Sequence, residues 1–221
     1  MKFQDAANRW NERYQQADSP LFGEAPNAWL AAHAPMLSAN SEVLCIADGQ
    51  GRNGLHLASL GHHVVAFDLS DVAITSLKEQ AQRRGLDIDA RVSSIDDWEW
   101  PEHHYDAVVA IFIQFADPAS RAQLLKNAAR ALKPGGLFVI EGYGMRQLRY
   151  QTGGPGVAEN LYHAQLVAES FPQWSVLASR DADVVLAEGR GHAGQSHVIS
   201  SVIRSPADSS PLAPIESRPR R

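Results

Sequence analysis

Short apolar runs of β character alternate with helical patterns through the middle of the chain, and this alternation restricts the fold more than any other feature. Val43-Leu44-Cys45-Ile46-Ala47 is an unbroken apolar run ending in Asp48-Gly49, which reads as a strand buried on both faces. A helical stretch from Asn53 to Leu60 is closed by Gly61, and Val64-Val65-Ala66-Phe67 ends at Asp68 as a second strand. Ser70 is the expected N-cap of a helix running to Gly85, with Asp71 in its first turn. Ile88 to Val92 and Ala107 to Phe112 read as third and fourth strands. Asp117-Pro118 opens another helix, the acid as cap and the proline where no N–H is needed. Leu124, Leu125, Ala128, Ala131 and Leu132 share one face of it. Lys133-Pro134-Gly135-Gly136 ends it, and Leu137-Phe138-Val139-Ile140 is a fifth strand. Strands alternating with helices predict an α/β fold, a mostly parallel, doubly wound sheet covered on both faces.

Beyond Glu141 the pattern changes. Residues 142–156 are glycine-rich, and a long connection of that kind is more often functional than idle. A helix is expected from about Asn160 to Phe171, followed by β-like stretches at 174–177, 184–187 and 198–203. The last two flank a loop at 188–194 that has no room for a crossover helix, so they are expected to pair antiparallel. From Ser205 onward Pro, Ser and Arg dominate without periodicity, the composition of a disordered tail.

Composition narrows the function. The 221 residues carry 20 Lys+Arg against 25 Asp+Glu, a net charge of −5, which argues against a sequence-independent grip on nucleic acid. The single cysteine, Cys45, excludes an internal disulfide framework and a multi-thiolate zinc site. The longest apolar run, Ala107 to Ile113, is far short of the roughly 20 residues of a spanning helix. The first residues are polar with an early acid, unlike a secretory signal. A cytoplasmic protein with a small-molecule partner is expected, without nucleic acid or membrane, as a monomer or weak homodimer. None of the nine histidines forms an HExxH pair, and no metal site is expected. His192 is singled out as a candidate active-site group because imidazole titrates near neutral pH.

Gly49-Gln50-Gly51-Arg52-Asn53-Gly54 matches GxGxxG between a strand and a helix. Glycines let the backbone bend and approach a ligand, and the helix N-terminus offers unpaired N–H groups. Asp68, 17 residues beyond Gly51 at the end of the second strand, is placed to accept hydrogen bonds from ribose hydroxyls. These features fit a nicotinamide dinucleotide and S-adenosylmethionine alike, and a tight turn without a ligand is the third reading.

The run from Val43 to Asn53 resembles the first motif of class I S-adenosylmethionine-dependent methyltransferases, and Ala131-Leu132-Lys133-Pro134-Gly135-Gly136-Leu137 resembles their helix-to-fifth-strand junction. Trp10-Asn11-Glu12-Arg13-Tyr14, Leu21-Phe22-Gly23 and Pro26-Asn27-Ala28-Trp29-Leu30 are similar to the N-terminal segment of the tellurite-resistance and thiopurine methyltransferase-like group. The GxGRN form of the turn, Gly153-Gly154-Pro155 after the fifth strand and the loop from Glu188 to His192 extend the resemblance to about Arg204. It implies a Rossmann-like, seven-stranded sheet whose last strand is antiparallel. It also implies an N-terminal helical cap over 1–35 in the same domain, a core over 36–204 and a tail over 205–221.

The implied reaction is methyl transfer from S-adenosylmethionine to a small acceptor, a soft sulfur, selenium or tellurium nucleophile that needs little general base. The implied cofactor contacts are Arg13, Asp48, Gly49, Gly51, Asn53, Asp68, Leu69, Ile95, Asp97, Trp98 and Ile111. The acceptor contacts are Gln114, Glu141, Tyr143, Tyr150 and Thr152. No catalytic acid or base is assigned; Gln114 and His192 are the residues to watch. Trp10 and Tyr14, four apart on one helical face, either cap the pocket or staple the first helix to the domain. Three positions depart from the family pattern. Cys45 and Ser94 stand where acids are common, leaving Asp96 or Asp97 to meet the adenine amine, and Ala47 replaces the first glycine. The alternatives are an NAD(P)-dependent oxidoreductase and a cofactor-binding relative without transfer activity.

Overall fold

The computed structural model describes residues 3–207. Five strands, β1 (Glu42–Ile46), β2 (His63–Asp68), β3 (Asp89–Val92), β4 (Tyr105–Ile111) and β5 (Leu132–Tyr143), are joined in parallel. With β6 (Ser175–Glu188) and β7 (His192–Arg204) they form one sheet in the order β3-β2-β1-β4-β5-β7-β6. β7 runs antiparallel to both β5 and β6. This is the doubly wound, Rossmann-like α/β sheet with an antiparallel last strand that the alternating pattern and the resemblance imply.

Among the described residues six α-helices accompany it: α1 (Phe3–Gln15), α2 (Ala28–His33), α3 (Arg52–Ser59), α4 (Asp71–Arg84), α5 (Pro118–Ala131) and α6 (Gln165–Ser170). The predicted caps are in place. The Ser70 side chain accepts from the Ala73 N–H and that of Asp117 from the Ser120 N–H. Strand parity divides the core. Val43 and Cys45 face Trp29, Leu57, Ile74 and Leu77 of α2, α3 and α4. Leu44 and Ile46 belong to the opposite layer, with Leu124, Leu125 and Ala128 of α5 and Leu166 of α6. Cys45 is a buried sheet residue whose thiol pKa is pushed up by burial, which makes it an inert core group.

The structure differs from the sequence reading in the C-terminal third. The stretches at 174–177 and 184–187 are parts of one strand, β6, and the polar residues between them pair with β7 throughout. β6 is an edge strand with alternating exposure, so polar positions inside it do not signal a break. β7 begins at His192 rather than Val198, leaving only residues 189–191 as the hairpin loop. The helix expected from Asn160 is confined to Gln165–Ser170, because Tyr162 is buried and its N–H donates to the Tyr143 carbonyl. Backbone order also runs past Arg204. The Ser205 N–H donates to the Gly136 carbonyl, and the Gly135 N–H to that of Pro206. The remainder of the expected tail, 208–221, lies outside the described residues.

Trp98 is a core residue. Its ring stacks on Phe67 with centroids 4.4 Å apart, behind the end of β2 rather than in a ligand cleft. Trp98→Ala is expected to lower stability by about 3–5 kcal/mol in urea unfolding, the cost of a large buried aromatic; a loss below about 1 kcal/mol would show that the ring is not core.

Candidate active site

The sheet reverses its direction of travel between β1 and β4, and in open α/β sheets ligands bind outside the carboxyl ends of the strands at that point. A cleft of about 780 Å³, including its open mouth, lies there. Its floor is Ile46 to Gly49 after β1, Asp68 and Leu69 after β2, and Ile111 and Phe112 at the end of β4. Trp10 and Tyr14 from α1, Phe22, Phe115 and His192 complete the walls.

The glycine turn is shaped by what packs against it. Gly51 caps α3 at φ +87°, and a Cβ there would stand 2.4 Å from Leu77 Cγ. A Cβ on Gly54 would stand 2.6 Å from Asp48 Oδ2, and that oxygen accepts the Gly54 N–H at 2.9 Å. Asp48 therefore occupies one of the free donors of the α3 N-terminus. Ala47, at the first glycine position, keeps the left-handed bend at φ +49° despite its side chain. Phe112 is also left-handed, at φ +55°. Such residues cost about 1–3 kcal/mol each and gather at functional sites. Phe112 is held there by donating its N–H to the Glu141 carbonyl at 2.7 Å, with its ring between Tyr143 and His192.

Two carboxylates lie in the floor without a cation of their own. Asp68 accepts the Gly49 N–H at Oδ2 and the Ser70 N–H at Oδ1, both at 2.9 Å. Burial raises its pKa to about 6, against the pull of these backbone donors. Burial also raises Asp48 to about 7, opposed by the Gly54 N–H and the charge of Arg52. The Arg52 guanidinium is turned to Glu188, with Nη2 2.7 Å from Oε2, while its Nη1 is buried without a hydrogen-bond partner.

Glu188 ties together three parts of the chain. Its Oε1 accepts from Asn27 Nδ2 at 3.0 Å, and its Oε2 lies 3.9 Å from His192 Nδ1. The His192 ring is held between Phe22 and Phe112, with centroids 4.4 and 4.1 Å away. The Gly191 N–H donates to the Leu21 carbonyl at 2.9 Å, so the hairpin also anchors the segment that carries Phe22. Trp10 and Tyr14 do both things expected of them: they stack at 5.8 Å as part of an aromatic cluster with Phe22, and they line the cleft.

Of the cofactor candidates, Asp48, Gly49, Asn53, Asp68, Leu69 and Ile111 line the cleft. Gly51 lies behind it, against Leu77. Arg13 is exposed on α1, with its guanidinium 4.4 Å over the Trp10 ring at the rim. Ile95, Asp97 and Trp98 are not among the residues that line the cleft. Ile95 packs against the core, and Asp97 is exposed and accepts the Ser94 hydroxyl at 2.7 Å. Ser94, where an acid is common, also accepts the Asp97 N–H at 3.0 Å, so it caps its own turn.

The acceptor candidates are mostly engaged with partners inside the protein. The Gln114 amide is spent inside the protein, Nε2 donating to the Tyr143 carbonyl at 2.7 Å and Oε1 accepting the Tyr143 N–H. Glu141 is 1 % exposed; it accepts from Asn27 Nδ2 at 2.7 Å and from Ser200 Oγ and Arg180 Nη2. Thr152 donates to the Gln195 carbonyl and accepts from Gln147 Nε2 at 3.0 Å. Tyr150 faces Asp183 beside Arg146, on another surface. Tyr143 is buried behind Phe112. A polar residue near the carboxyl end of a strand suits a ligand contact or an internal bracket equally, and here the brackets prevail. The walls that the sequence reading missed are Phe22, Phe112 and Phe115, with the Arg52–Glu188 pair behind His192. Arg52 and Glu188 both stand in the motifs already quoted, but their pairing spans 136 positions and carries no local signal. Among the described residues, no group of three or more His, Cys, Asp or Glu side chains is placed to hold a metal ion, and no helix is long and apolar enough to cross a membrane.

Comparison with known proteins agrees with this geometry. A methyltransferase-domain family model matches residues 43–136. The tRNA N(3)-methylcytidine methyltransferase Mettl2 of Drosophila melanogaster is 30% identical over 170 residues, covering 67% of this chain and 52% of that protein. The probable S-adenosyl-L-methionine-dependent methyltransferase TehB of Haemophilus influenzae is 27% identical over 99 residues, 45% of this chain and 35% of that protein. Its crystal structure superposes with a TM-score of 0.68 at 19% identity, covering 90% of this chain and 66% of that one. A solved structure associated with conversion of a disulfide bond into a thioacetal group during echinomycin biosynthesis reaches a TM-score of 0.75 at 20% identity, covering 92% and 93%. The chain spans about half or less of the curated relatives it matches. These matches support a class I S-adenosylmethionine-dependent methyltransferase domain over residues 43–136, and the chain resembles the TehB-like group.

Two outcomes follow from the turn. Gly51→Ala is expected to cost about 2–4 kcal/mol in urea unfolding, against about 1 kcal/mol for Gly61→Ala, because both carry backbone strain but only Gly51 also meets Leu77. Equal losses would remove the packing argument. A pKa raised in the folded state means that stability present below pH 4 is lost as pH rises through about 7 for Asp48. Asp48→Asn is therefore expected to raise thermal stability at pH 8, by on the order of 2 kcal/mol, and to change little at pH 4. Destabilisation at pH 8 would contradict this.

Proposed function

We propose that the protein transfers the methyl group of S-adenosylmethionine to a small, neutral acceptor. The observation that carries this reading is the pair of floor carboxylates, Asp48 and Asp68, which are satisfied by backbone N–H groups but lack a cation. A nicotinamide dinucleotide would bring its pyrophosphate to the α3 N-terminus, where Asp48 already holds the Gly54 N–H and would repel it. A sulfonium with its α-ammonium group is complementary to the same two charges.

In this reading the remaining lone pairs of Asp68 hold the ribose hydroxyls. Leu69 and Ile111 flank the nucleoside, Asp48, Gly49 and Asn53 surround the methionine end, and Arg13 at the rim meets its carboxylate. The donor supplies a methyl group already activated by the positive sulfur. The protein's own work is then to orient the acceptor and exclude water, with α1 and Phe22 forming the lid of the same domain. The acceptor side is aromatic, with Trp10, Phe22, Phe112 and Phe115, which favours an apolar molecule bearing a soft sulfur or selenium nucleophile. A tRNA, the acceptor in the name of Mettl2, would need a basic surface that a net charge of −5 does not favour. The three departures leave the cleft formed: Ala47 makes the bend, Ser94 caps its turn and Cys45 fills the sheet. That supports turnover over a binding-only relative.

Titration calorimetry tests the reading. S-adenosylhomocysteine is expected to bind, Asp68→Ala to weaken it about 30-fold, equivalent to ~2 kcal/mol of lost hydrogen bonding, and NADH to give no heat. A folded protein that binds NADH and not S-adenosylhomocysteine would overturn it.

A further inference from the structure

Arg52, Glu188 and His192 form a buried chain that ends in the cleft wall. His192 is 8 % exposed, and its Nδ1 is fully buried without a hydrogen-bond partner. The nearest charged atom is Glu188 Oε2 at 3.9 Å, which Arg52 Nη2 approaches at 2.7 Å from its other side. Catalytic hydrogen bonds are often this long before substrate binds. Phe22 and Phe112 clamp the ring faces, and Tyr143 meets the ring edge-on at 5.6 Å, so the imidazole has little freedom to turn. With Nδ1 directed at the carboxylate, Nε2 is the nitrogen left to reach the cleft. Burying three ionisable groups together is a poor route to stability, since apolar side chains of similar size would serve as well.

Their electrostatics are arranged for one proton. Burial works to raise the Glu188 pKa, but the neighbouring His192 and the Arg52 charge outweigh it and hold the pKa below the usual carboxylate value. Burial lowers the His192 pKa, Glu188 opposes this, and the charges of Arg52 on α3 and Arg13 on α1 add to the lowering. Asp48 and Asp68 line the same cleft from its floor. The imidazole is thus biased toward its neutral form, with the Glu188 carboxylate beside it.

We propose that His192 is the proton acceptor of the transfer, Nδ1–H turned to Glu188 and Nε2 open to the cleft, so that the protein takes thiol acceptors still carrying their proton. The assignment rests on the methyl-transfer reading above. In the step the acceptor's S–H proton passes to Nε2 and its electron pair forms the new sulfur–methyl bond. The old bond between the methyl carbon and the sulfonium breaks with its pair kept by that sulfur, leaving a neutral thioether. Glu188 balances the imidazolium until its proton returns to water, and Arg52 is a positioning residue that keeps Glu188 aimed and ionised.

Nitrogen-resolved NMR of the imidazoles in the full chain, with His192→Gln used to assign the signal, tests this without turnover. Above pH 7, with S-adenosylhomocysteine present, His192 is expected as the Nδ1–H tautomer. An Nε2–H tautomer overturns the proposal, because the cleft nitrogen would already hold a proton. Two probe acceptors add a second arm, benzyl mercaptan, protonated at pH 7, and thiophenol, ionised there. His192→Gln is expected to slow methylation of benzyl mercaptan about 100-fold, with the loss on thiophenol at least about tenfold smaller. Equal losses on both thiols, in a variant that still binds S-adenosylhomocysteine, would reduce His192 to a packing residue. A wild-type chain that fails to bind S-adenosylhomocysteine would sink the methyl-transfer reading itself, whereas binding with the wrong tautomer sinks only the role of His192.

Discussion

The hydrogen bond from the Gly54 N–H to Asp48 Oδ2, 2.9 Å long, organises the site. It closes the N-terminus of α3 with a side chain from the preceding turn, so the helix end that could have cradled a phosphate is occupied by a carboxylate instead. Gly54 has to lack a side chain because Asp48 stands where its Cβ would be, and Gly51 because Leu77 does. The same turn brings the Gly49 N–H onto Asp68. One motif compatible with two cofactor classes thereby acquires a sign: its floor is negative and suited to a positively charged ligand.

Around that floor the protein joins pieces that are far apart in sequence. The β6–β7 hairpin reaches back to the N-terminal segment through the Gly191–Leu21 backbone bond and the Glu188–Asn27 hydrogen bond. Asn27 in turn accepts the Leu30 N–H as the cap of α2 and donates to the buried Glu141. The lid, the hairpin and the end of β5 are therefore one hydrogen-bonded unit, and the cleft keeps its shape through contacts that are mostly internal. Its strained residues, Ala47 and Phe112, sit at the ends of the two strands that flank the crevice. Strain of that kind persists where surrounding structure over-determines it, as the Phe112 N–H bond to Glu141 and its ring contacts do.

This division explains what could be read from the sequence. The parallel sheet, its helices and their caps were legible because each rests on local periodicity or on a capping side chain, as at Ser70 and Asp117. The turn from Ala47 to Gly54 and the position of Asp68 were legible because strand-turn-helix chemistry is local too. The acceptor wall was not. Gln114, Glu141 and Thr152 have the polarity of ligand contacts, and only the fold reveals that Tyr143, Arg180 and Gln195 consume their hydrogen bonds. Phe112 looked like the end of a strand, and nothing local announces its left-handed backbone. The two halves of β6 look separate in sequence because its polar centre resembles a loop, whereas an edge strand tolerates polar residues on its exposed face.

The central claim is that the cleft floor carries uncompensated negative charge for a cationic methyl donor. The most direct test is the affinity of S-adenosylmethionine, measured by calorimetry from pH 5 to pH 8, because Asp48 and Asp68 ionise near 7 and 6. Binding that depends on both carboxylates strengthens about tenfold or more across that range. Affinity that is flat, or that weakens as pH rises, would contradict the account.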